Sequence, residues 1–278
     1  MVSYTDLSLY FFPSTGGNIL LTCFLSKCAP LDAPYVLIFP PFAEELNKSR
    51  RMLSLQAKQL NKLGYHVVLP DLFGTGDSEG DFSEATWQLW LSDVENIVAC
   101  MKKDNKNIVG VLGVRLGALL AVDSLRFFNE KLKEIIFWQP VLRGESAITQ
   151  FLRIRMAADV AAGNNKSTPK VLRQQLLSGR TIEVGGYELN SELVSAIDEL
   201  SISDLEFPLN VKIKWFEVAP TERASISPAA KKVESQLIDK NVLVESRVVY
   251  GSPFWNSVEI QDVPELLEVT TDSFTSSI

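Results

Sequence analysis

Short apolar runs alternate with longer amphipathic stretches through the first half of the chain. Four of these runs have no polar alternation, which predicts strands buried on both faces of a sheet. They lie at 35–39, 66–69, 107–112 and 134–138. The stretches 48–63 and 83–103 have apolar positions at helical spacing and predict helices. Two further apolar segments, 7–12 and 19–25, flank the turn residues 14–18 and predict a hairpin.

The pattern changes between Gly144 and about Glu206. This part predicts a helix, a polar break at 163–169, a second helix, one short strand at 181–184 and a third helix. A helical insert after the sixth strand lies over the carboxyl ends of the strands, where α/β folds bind ligands. We therefore interpret 144–206 as a mainly helical cap on a pocket. Residues 1–143 and 207–278 then form the core, an eight-stranded, mostly parallel sheet flanked by helices.

The segment Gly113-Val-Arg-Leu-Gly117 has the spacing of a G-x-S-x-G nucleophile elbow, with Arg115 in the serine position. It lies between a predicted strand and a predicted helix at 116–128, as such an elbow does. The glycines permit a sharp turn that holds the central side chain over the end of the sheet. Because a guanidinium stays protonated at any working pH, it cannot attack a carbonyl. The segment therefore predicts an acyl-transfer framework without its nucleophile.

Composition excludes several classes of protein. The chain of 278 residues is 46% hydrophobic and 22% charged, which is typical of a globular protein with a large core. A net charge of −7 argues against a surface that follows nucleic-acid phosphates. No apolar run approaches the roughly 20 residues that span a bilayer, so we expect no membrane span.

The cysteines and motifs indicate a cytoplasmic protein without a cofactor. Cys23, Cys28 and Cys100 lack the spacing of a disulfide framework or a zinc site. The first residues lack the basic and apolar regions of a signal peptide. No P-loop, Rossmann fingerprint or metal-ligand spacing is present, so we expect neither a cofactor nor a metal.

Several segments resemble a known superfamily. The sheet order, the insert, the elbow and the turn Asp71-x-x-Gly-x-Gly-x-Ser78 resemble the α/β-hydrolase superfamily. More narrowly, the chain resembles the exosortase A system-associated hydrolase 2 family, found with bacterial exopolysaccharide gene clusters. The matching segments are 39–51, 76–82, 86–87, 115–120, 185–189 and 251–255. The resemblance implies an α/β-hydrolase fold with a cap, hydrolysis as the class of activity and a link to exopolysaccharide metabolism.

The three triad positions of that superfamily follow the order nucleophile, acid, histidine. The nucleophile position holds Arg115, and the acid position, after the seventh strand, has Glu217 and Glu222 as candidates. The histidine position, in 251–255, has no histidine. The chain's single histidine, His66, begins the fourth strand, about 13 Å from its carboxyl end. We interpret His66 as structural, so no nucleophile and no general base remain for the usual acyl transfer.

The loop after the third strand also departs from the hydrolase pattern. A His-Gly pair is common there and lends a backbone N–H to the oxyanion hole, but this chain has Pro40-Pro41. Proline has no N–H to donate. Phe42 or Ala43 could still supply one donor and Leu116 another, which predicts an anion-binding corner.

Charged and aromatic side chains should converge on this corner. Either Arg115 binds a ligand carboxylate or phosphate while a glutamate accepts from hydroxyls, or Arg115 forms a buried ion pair with Glu44 or Glu45. An unfamiliar catalytic role is the third alternative. Phe254 and Trp255, at the histidine position, either fill the vacated space or form a stacking wall for a sugar ring.

Two functions follow from these observations. The first is a non-catalytic or weakly catalytic protein that binds a small-molecule or glycan-related ligand. The second is a genuine hydrolase of an ester, thioester or polysaccharide acyl group that uses an unusual site around Arg115 and Glu44 or Glu45. The missing serine and histidine favour the first function, and the resemblance to proteins named hydrolases favours the second. The sequence leaves the oligomeric state open.

Overall fold

Eight strands form one sheet at the centre of the protein. A computed structural model describes residues 4–30, 32–128, 132–163, 168–208, 211–221 and 224–275. The strands within these ranges are β1 (Thr5–Pro13), β2 (Asn18–Ser26), β3 (Tyr35–Phe39), β4 (His66–Pro70), β5 (Ile108–Val114), β6 (Glu134–Trp138), β7 (Ile182–Val184), β8 (Tyr187–Leu189), β9 (Lys212–Ala219) and β10 (Leu243–Tyr250). β7 and β8 pair only with each other, and the remaining strands form the central sheet.

The central sheet has the strand order β1-β2-β4-β3-β5-β6-β9-β10. β2 is antiparallel to both of its neighbours, and the other neighbouring pairs are parallel. This arrangement confirms the predicted mostly parallel, eight-stranded sheet. The chain passes from β3 to β4 on one side and to β5 on the other, so the carboxyl ends of β3 and β5 meet where the strand order reverses. Phe39 pairs there with Gly113, and parallel α/β sheets bind ligands at such a point.

Helices cover both faces of the sheet. They are α1 (Glu44–Lys62), α2 (Trp87–Lys103), α3 (Gly117–Asp123), α4 (Gly144–Ala161), α5 (Pro169–Leu177), α6 (Ser191–Asp198), α7 (Pro228–Asp239) and α8 (Pro264–Thr275). α1 and α8 bury Met52 and Leu266 in one apolar cluster. α2, α3 and α7 bury Trp90, Leu119 and Leu237 in the other. The two clusters explain the unbroken apolar runs of the central strands.

Three predicted helix boundaries were wrong. The helix predicted from residue 48 starts at Glu44, directly after Ala43 with its φ of 53°. The helix predicted from residue 83 starts at Trp87, because the Thr86 hydroxyl accepts from Leu89 N at 3.1 Å and caps the first turn. A short 3₁₀ helix, Phe82–Glu84, precedes it. The helix predicted at 116–128 ends at Asp123, and a second 3₁₀ turn follows at Leu125–Phe127.

The segment between β6 and β9 contains α4, α5, the β7–β8 hairpin and α6. The sequence predicted one strand here; Gly185 and Gly186 instead form a turn at φ of 57° and 87° that returns the chain as a second strand. Asn190 holds this insert to the core, since its Nδ2 donates to Ser83 O and Ala85 O, both at 2.8 Å. The insert is therefore fixed directly to the segment that precedes α2.

Candidate functional site

A sharp turn joins β5 to α3 at the carboxyl edge of the sheet. Arg115 lies at its apex with a φ of 54°, a left-handed conformation that is uncommon for residues other than glycine. Its N–H donates to Trp138 O at 3.0 Å, and its carbonyl accepts from Val141 N at 3.1 Å. The residue in the nucleophile position therefore has the strained backbone that the elbow motif predicts.

The two glycines of the motif allow α3 to pack against the sheet. A Cβ on Gly117 would lie 2.3 Å from Phe39 O and 2.4 Å from Pro40 O. A Cβ on Gly113 would lie 2.5 Å from the Cα of Ala118. Real Cβ atoms do not approach this closely, so both positions require glycine. The elbow is thus fixed by close contacts between β3, β5 and α3.

The Arg115 side chain makes an ion pair with Glu45, at the first turn of α1. Arg115 Nε lies 3.2 Å from Glu45 Oε1 and 3.3 Å from Oε2, and Nη1 donates to Gln139 O at 3.1 Å. The side chain of Arg115 is 14% exposed and that of Glu45 is 27% exposed. Of the two candidate partners, Glu44 instead pairs with Lys48 at 3.4 Å. The ion pair expected from the sequence is therefore present, with Glu45 as the partner.

Burial destabilises the charged form of the Glu45 carboxyl. Burial raises the pKa of the Glu45 carboxyl, and the nearby Arg115 guanidinium and Lys48 lower it again without cancelling the rise. A desolvated carboxylate is destabilised until a cation compensates it. Arg115 is the cation that contacts Glu45 directly, so the ionised state of Glu45 depends on Arg115.

Two aromatic residues occupy the region where the superfamily places its histidine. The guanidinium carbon of Arg115 lies 5.2 Å from the ring centroid of Trp255, in a cation–π contact. The Phe254 ring points away from Arg115 and packs edge-on against Trp138, with the two ring centroids 6.0 Å apart. Both rings are buried, but only Trp255 reaches the elbow. Successive side chains here point to different sides, so Phe254 packs away from Arg115, and its assignment to the ligand site stays a prediction.

Sequence reasoning missed Gln139. This residue follows β6 with a φ of 43°, and its carbonyl accepts from Arg115 Nη1. Its side-chain Oε1 accepts from Val218 N at 2.7 Å, and its own N–H donates to Phe216 O. Gln139 thus connects the elbow to β9. A polar residue before a proline, directly after a buried strand, was the available signal in the sequence.

Of the remaining residues considered for the triad, Glu217 and His66 are hydrogen-bonded to residues other than Arg115. Glu217 lies inside β9 and not on the following loop, and both of its carboxylate oxygens accept from Ser227, at 2.8 Å from N and 2.9 Å from Oγ. Glu222 lies outside the described residues. His66 begins β4, where its Nδ1 accepts from Ser26 N at 3.0 Å and its ring packs on Tyr35. These contacts fit the structural role predicted for His66.

The proposed oxyanion donors lie beside the elbow. Ala43 precedes α1 with a φ of 53° and is almost fully buried. In the described part of the chain, the backbone N–H groups of Phe42 and Leu116 have no protein acceptor. Phe42 packs against Phe151 of the insert, with ring centroids 5.1 Å apart. A donor role for these N–H groups stays a prediction.

A cavity of about 280 Å³ lies between the elbow, α1 and α4. Its apolar lining comes from Phe42, Leu116, Val141, Ala147, Phe151, Ile154 and Trp255. Its polar lining comes from Glu44, Glu45, Lys48, Arg115, Gln150 and Asn256. Of the residues assigned to ligand binding from the sequence, Ala43 and Phe254 do not line it. The helix α4 supplies one wall, so the insert forms part of the cavity beside the elbow.

The described ranges contain neither a metal-binding cluster nor a helix able to span a membrane. Over those residues, no group of three His, Cys, Asp or Glu side chains is placed to hold a metal ion. The helices described there are also too short or too polar to cross a bilayer.

Comparison with known proteins identifies the fold. No protein-family model and no curated protein matches the sequence. Est1E from Butyrivibrio proteoclasticus, with ferulic acid bound, is similar in structure, with a TM-score of 0.70 and 15% identity over 96% of each chain. Alpha/beta hydrolase domain-containing protein 10 from mouse has a TM-score of 0.61 and 13% identity, over 98% of this chain and 100% of that chain.

A third solved structure lacks a lid. It is an α/β serine hydrolase from Xanthomonas campestris, with a TM-score of 0.58 and 10% identity over 98% of this chain and 93% of that chain. Identities this low show a shared fold and nothing narrower, so the resemblance to the exosortase-associated family stays a prediction. With the strand order and the elbow described above, these similarities establish that the chain has the α/β-hydrolase fold.

Proposed function

We propose that this protein binds a small organic molecule in the cavity beside the elbow and is non-catalytic, or at most weakly catalytic. The observation that carries the proposal is Arg115, which occupies the nucleophile position with its side chain paired to Glu45. A guanidinium retains its proton and offers no lone pair for attack on a carbonyl. The elbow therefore presents a hydrogen-bond donor where a hydrolase presents a nucleophile.

The surroundings of Arg115 support the same proposal. Acyl transfer of the usual kind needs a general base beside the nucleophile. In the described part of the chain, the residue that contacts Arg115 from the histidine region is Trp255, which has no basic group. Glu217 is held by Ser227, and His66 is held by Ser26. Among the described residues, the elbow thus has no serine nucleophile and no imidazole base, and the Glu45 carboxylate there is paired with Arg115.

The cavity favours a ligand with an apolar body and one oxygen acceptor. Most of its walls are apolar, and its volume of about 280 Å³ suits a small molecule. A guanidinium has five N–H donors, and Glu45 and Gln139 accept from Nε and Nη1. Nη2 has no acceptor among the described residues. A carboxylate or carbonyl oxygen of the ligand would bind there.

The resemblance to the exosortase-associated family supports a narrower proposal. We infer that the ligand derives from bacterial exopolysaccharide metabolism in the cytoplasm. The apolar walls favour the acyl or aglycone portion of such a molecule over a bare sugar, because sugar hydroxyls would lose hydrogen bonds to water there. Trp255 is already covered on one side by Arg115, which leaves less of its ring for stacking on a sugar.

Two measurements test the proposed function. A fluorophosphonate probe should leave the protein unlabelled under conditions that label an active serine hydrolase, and stoichiometric labelling of any serine would refute the proposal. A thermal-shift screen should then find small aromatic or aliphatic acids that stabilise the protein. Ferulic acid is a suitable first compound, because Est1E holds it and it joins an aromatic body to a carboxylate.

Matched variants separate binding at the elbow from other binding. Arg115→Ala should abolish the stabilisation by a ligand, whereas Arg51→Ala, which removes an arginine from an exposed ion pair with Asp262, should retain it. Esters and thioesters are assayed in parallel. Hydrolysis by the unmodified protein that is lost in Arg115→Ala would replace this proposal with the unusual hydrolase.

A further inference from the structure

The edge strand β1 is exposed along its length. It spans Thr5–Pro13 and pairs with β2 on one side only. Leu7, Leu9 and Phe11 point to the same face and are 55%, 57% and 59% exposed. An edge strand with apolar side chains is a template for pairing with another strand.

The hydrogen bonds at both ends of the hairpin show which backbone groups of β1 face outward. Lys27 N donates to Tyr4 O at 2.9 Å, and Ser14 N donates to Gly17 O at 3.1 Å. Both hydrogen bonds belong to the same antiparallel register of β1 and β2, which continues through the hairpin without a bulge. In an antiparallel pair, hydrogen-bonded residues alternate with residues whose N–H and C=O point away. Even-numbered residues of β1 therefore bond to β2, and the N–H and C=O groups of Leu7, Leu9 and Phe11 face away from it.

The strand at the opposite edge of the sheet, β10, carries several charged side chains. β10 carries Glu245 and Arg247, which pair with Lys212 at 2.9 Å and with Glu265 at 2.6 Å. Charged side chains on an edge strand disfavour pairing with another sheet. β1 carries one charged residue, Asp6, near its start. Charged side chains therefore disfavour strand pairing at β10, whereas β1 lacks this protection along most of its length.

We propose that β1 pairs antiparallel with β1 of a second copy of this chain, about a two-fold axis at Leu9. Leu9 then lies opposite Leu9 of the second copy, and Leu7 lies opposite its Phe11. All three residues have outward backbone groups, so each pair exchanges two hydrogen bonds. The exposed side chains also meet on one face of the joined sheet. The strand is therefore self-complementary in both hydrogen bonding and apolar surface, as a two-fold interface requires.

The area involved predicts a weak dimer. With Tyr10, the exposed side chains of β1 offer on the order of 400–500 Å² per copy, since one aromatic side chain carries about 150–250 Å². Two copies then bury at most on the order of 1,000 Å², at or below the low end for specific interfaces. We expect reversible association in the micromolar range. The joined sheets leave both elbows open, because β1 and β5 are separated by other strands.

Sedimentation of the full chain over a concentration series tests the proposal. The unmodified protein should pass from monomer to dimer as concentration rises. Leu9→Lys should weaken the dimer at least tenfold, because it places two like charges opposite each other on the two-fold axis. Leu177→Lys replaces a leucine that is 70% exposed on α5 and should dimerise like the unmodified protein. A protein that stays monomeric throughout, or a dimer that Leu9→Lys leaves intact, would overturn the proposal.

Cross-linking tests the register and does not require the lysine variant to fold. Exposed Cys28 is first replaced by serine to remove its thiol. Leu9→Cys should then cross-link to itself through a short bismaleimide. Leu7→Cys should not, since the two copies of Leu7 lie about 14 Å apart, but it should cross-link to Phe11→Cys when the two proteins are mixed. Failure of Leu9→Cys, or equal cross-linking of Leu7→Cys alone, would contradict the two-fold axis at Leu9.

Discussion

Replacement of Arg115 by alanine tests the electrostatics of the elbow. The substitution keeps a Cβ at a position with a φ of 54°, so the backbone strain is unchanged. It removes the hydrogen bonds to Glu45 and Gln139 O and the contact with Trp255. It also leaves Glu45, whose side chain is 27% exposed, without the cation that it contacts.

The expected loss of unfolding free energy at neutral pH is about 2–3 kcal/mol. A hydrogen bond to a charged group contributes about 1.5–3 kcal/mol and a cation–π contact about 0.5–1 kcal/mol, and the two are not fully additive. A loss of this size lowers the melting temperature of a protein of similar length by about 5–10 °C.

The loss should depend on pH through Glu45. Burial already raises the pKa of Glu45, and loss of the arginine raises it further. A carboxyl with a raised pKa binds more protons in the folded than in the unfolded state, so stability increases as pH falls through that pKa. The deficit of Arg115→Ala is therefore full at pH 7.5 and smaller at pH 5.0, because the variant gains stability as Glu45 binds a proton.

Urea unfolding at pH 7.5 and pH 5.0 measures both effects. Arg51→Ala is the matched control, because it breaks an exposed arginine–carboxylate pair. Arg51 lowers the pKa of its partner Asp262, so that carboxyl stays ionised at both pH values and the small loss should not change. Relative to Glu45→Gln, Arg115→Ala/Glu45→Gln should show the same stability difference at both pH values, because neither protein carries the titrating group. A deficit for Arg115→Ala that is absent, or equal at the two pH values, would refute the reasoning.

Three further outcomes are expected. Gly117→Ala should lose at least about 4 kcal/mol of unfolding free energy, because its Cβ would overlap carbonyl oxygens at the end of β3, whereas Gly179→Ala, with open space around it, should lose only about 1 kcal/mol. The proton NMR signal of His66, the single histidine, should titrate with a pKa below about 6.5, since partial burial lowers the pKa; a value at or above 6.5 would contradict its partly buried position and its role as an acceptor. Arg115→Ser/Trp255→His should hydrolyse p-nitrophenyl acetate slowly but faster than either single variant, because Trp255 is the residue that contacts position 115; equal rates would show that the imidazole does not activate the serine.

The architecture could be predicted because it depends on local patterns. Unbroken apolar runs, glycine spacing and helical periodicity each act over a few residues, and they gave the central sheet and the elbow. The sequence predicted β7 but not its partner β8, and each of these strands has only three residues. So short a segment gives no measurable alternation.

The site could be predicted only in part, because side-chain direction depends on backbone angles that composition does not reveal. Glu44 and Glu45 are adjacent in the first turn of α1, and the unusual φ of Ala43 sets which one faces the elbow. Phe254 and Trp255 are adjacent in the same way, and the loop after β10 turns only Trp255 toward Arg115. Neither choice follows from residue type.

The turn at Arg115 is held by its neighbours and not by its own side chain. Its backbone bonds run to Trp138 and Val141, and the flanking Gly113 and Gly117 admit the helix. The backbone therefore fixes the direction of the Cα–Cβ bond at position 115, whichever side chain is present. Position 115 is an attachment point whose occupant can be exchanged while the framework stays constant. A library at this one codon would present many chemical groups at the same place in the same cavity.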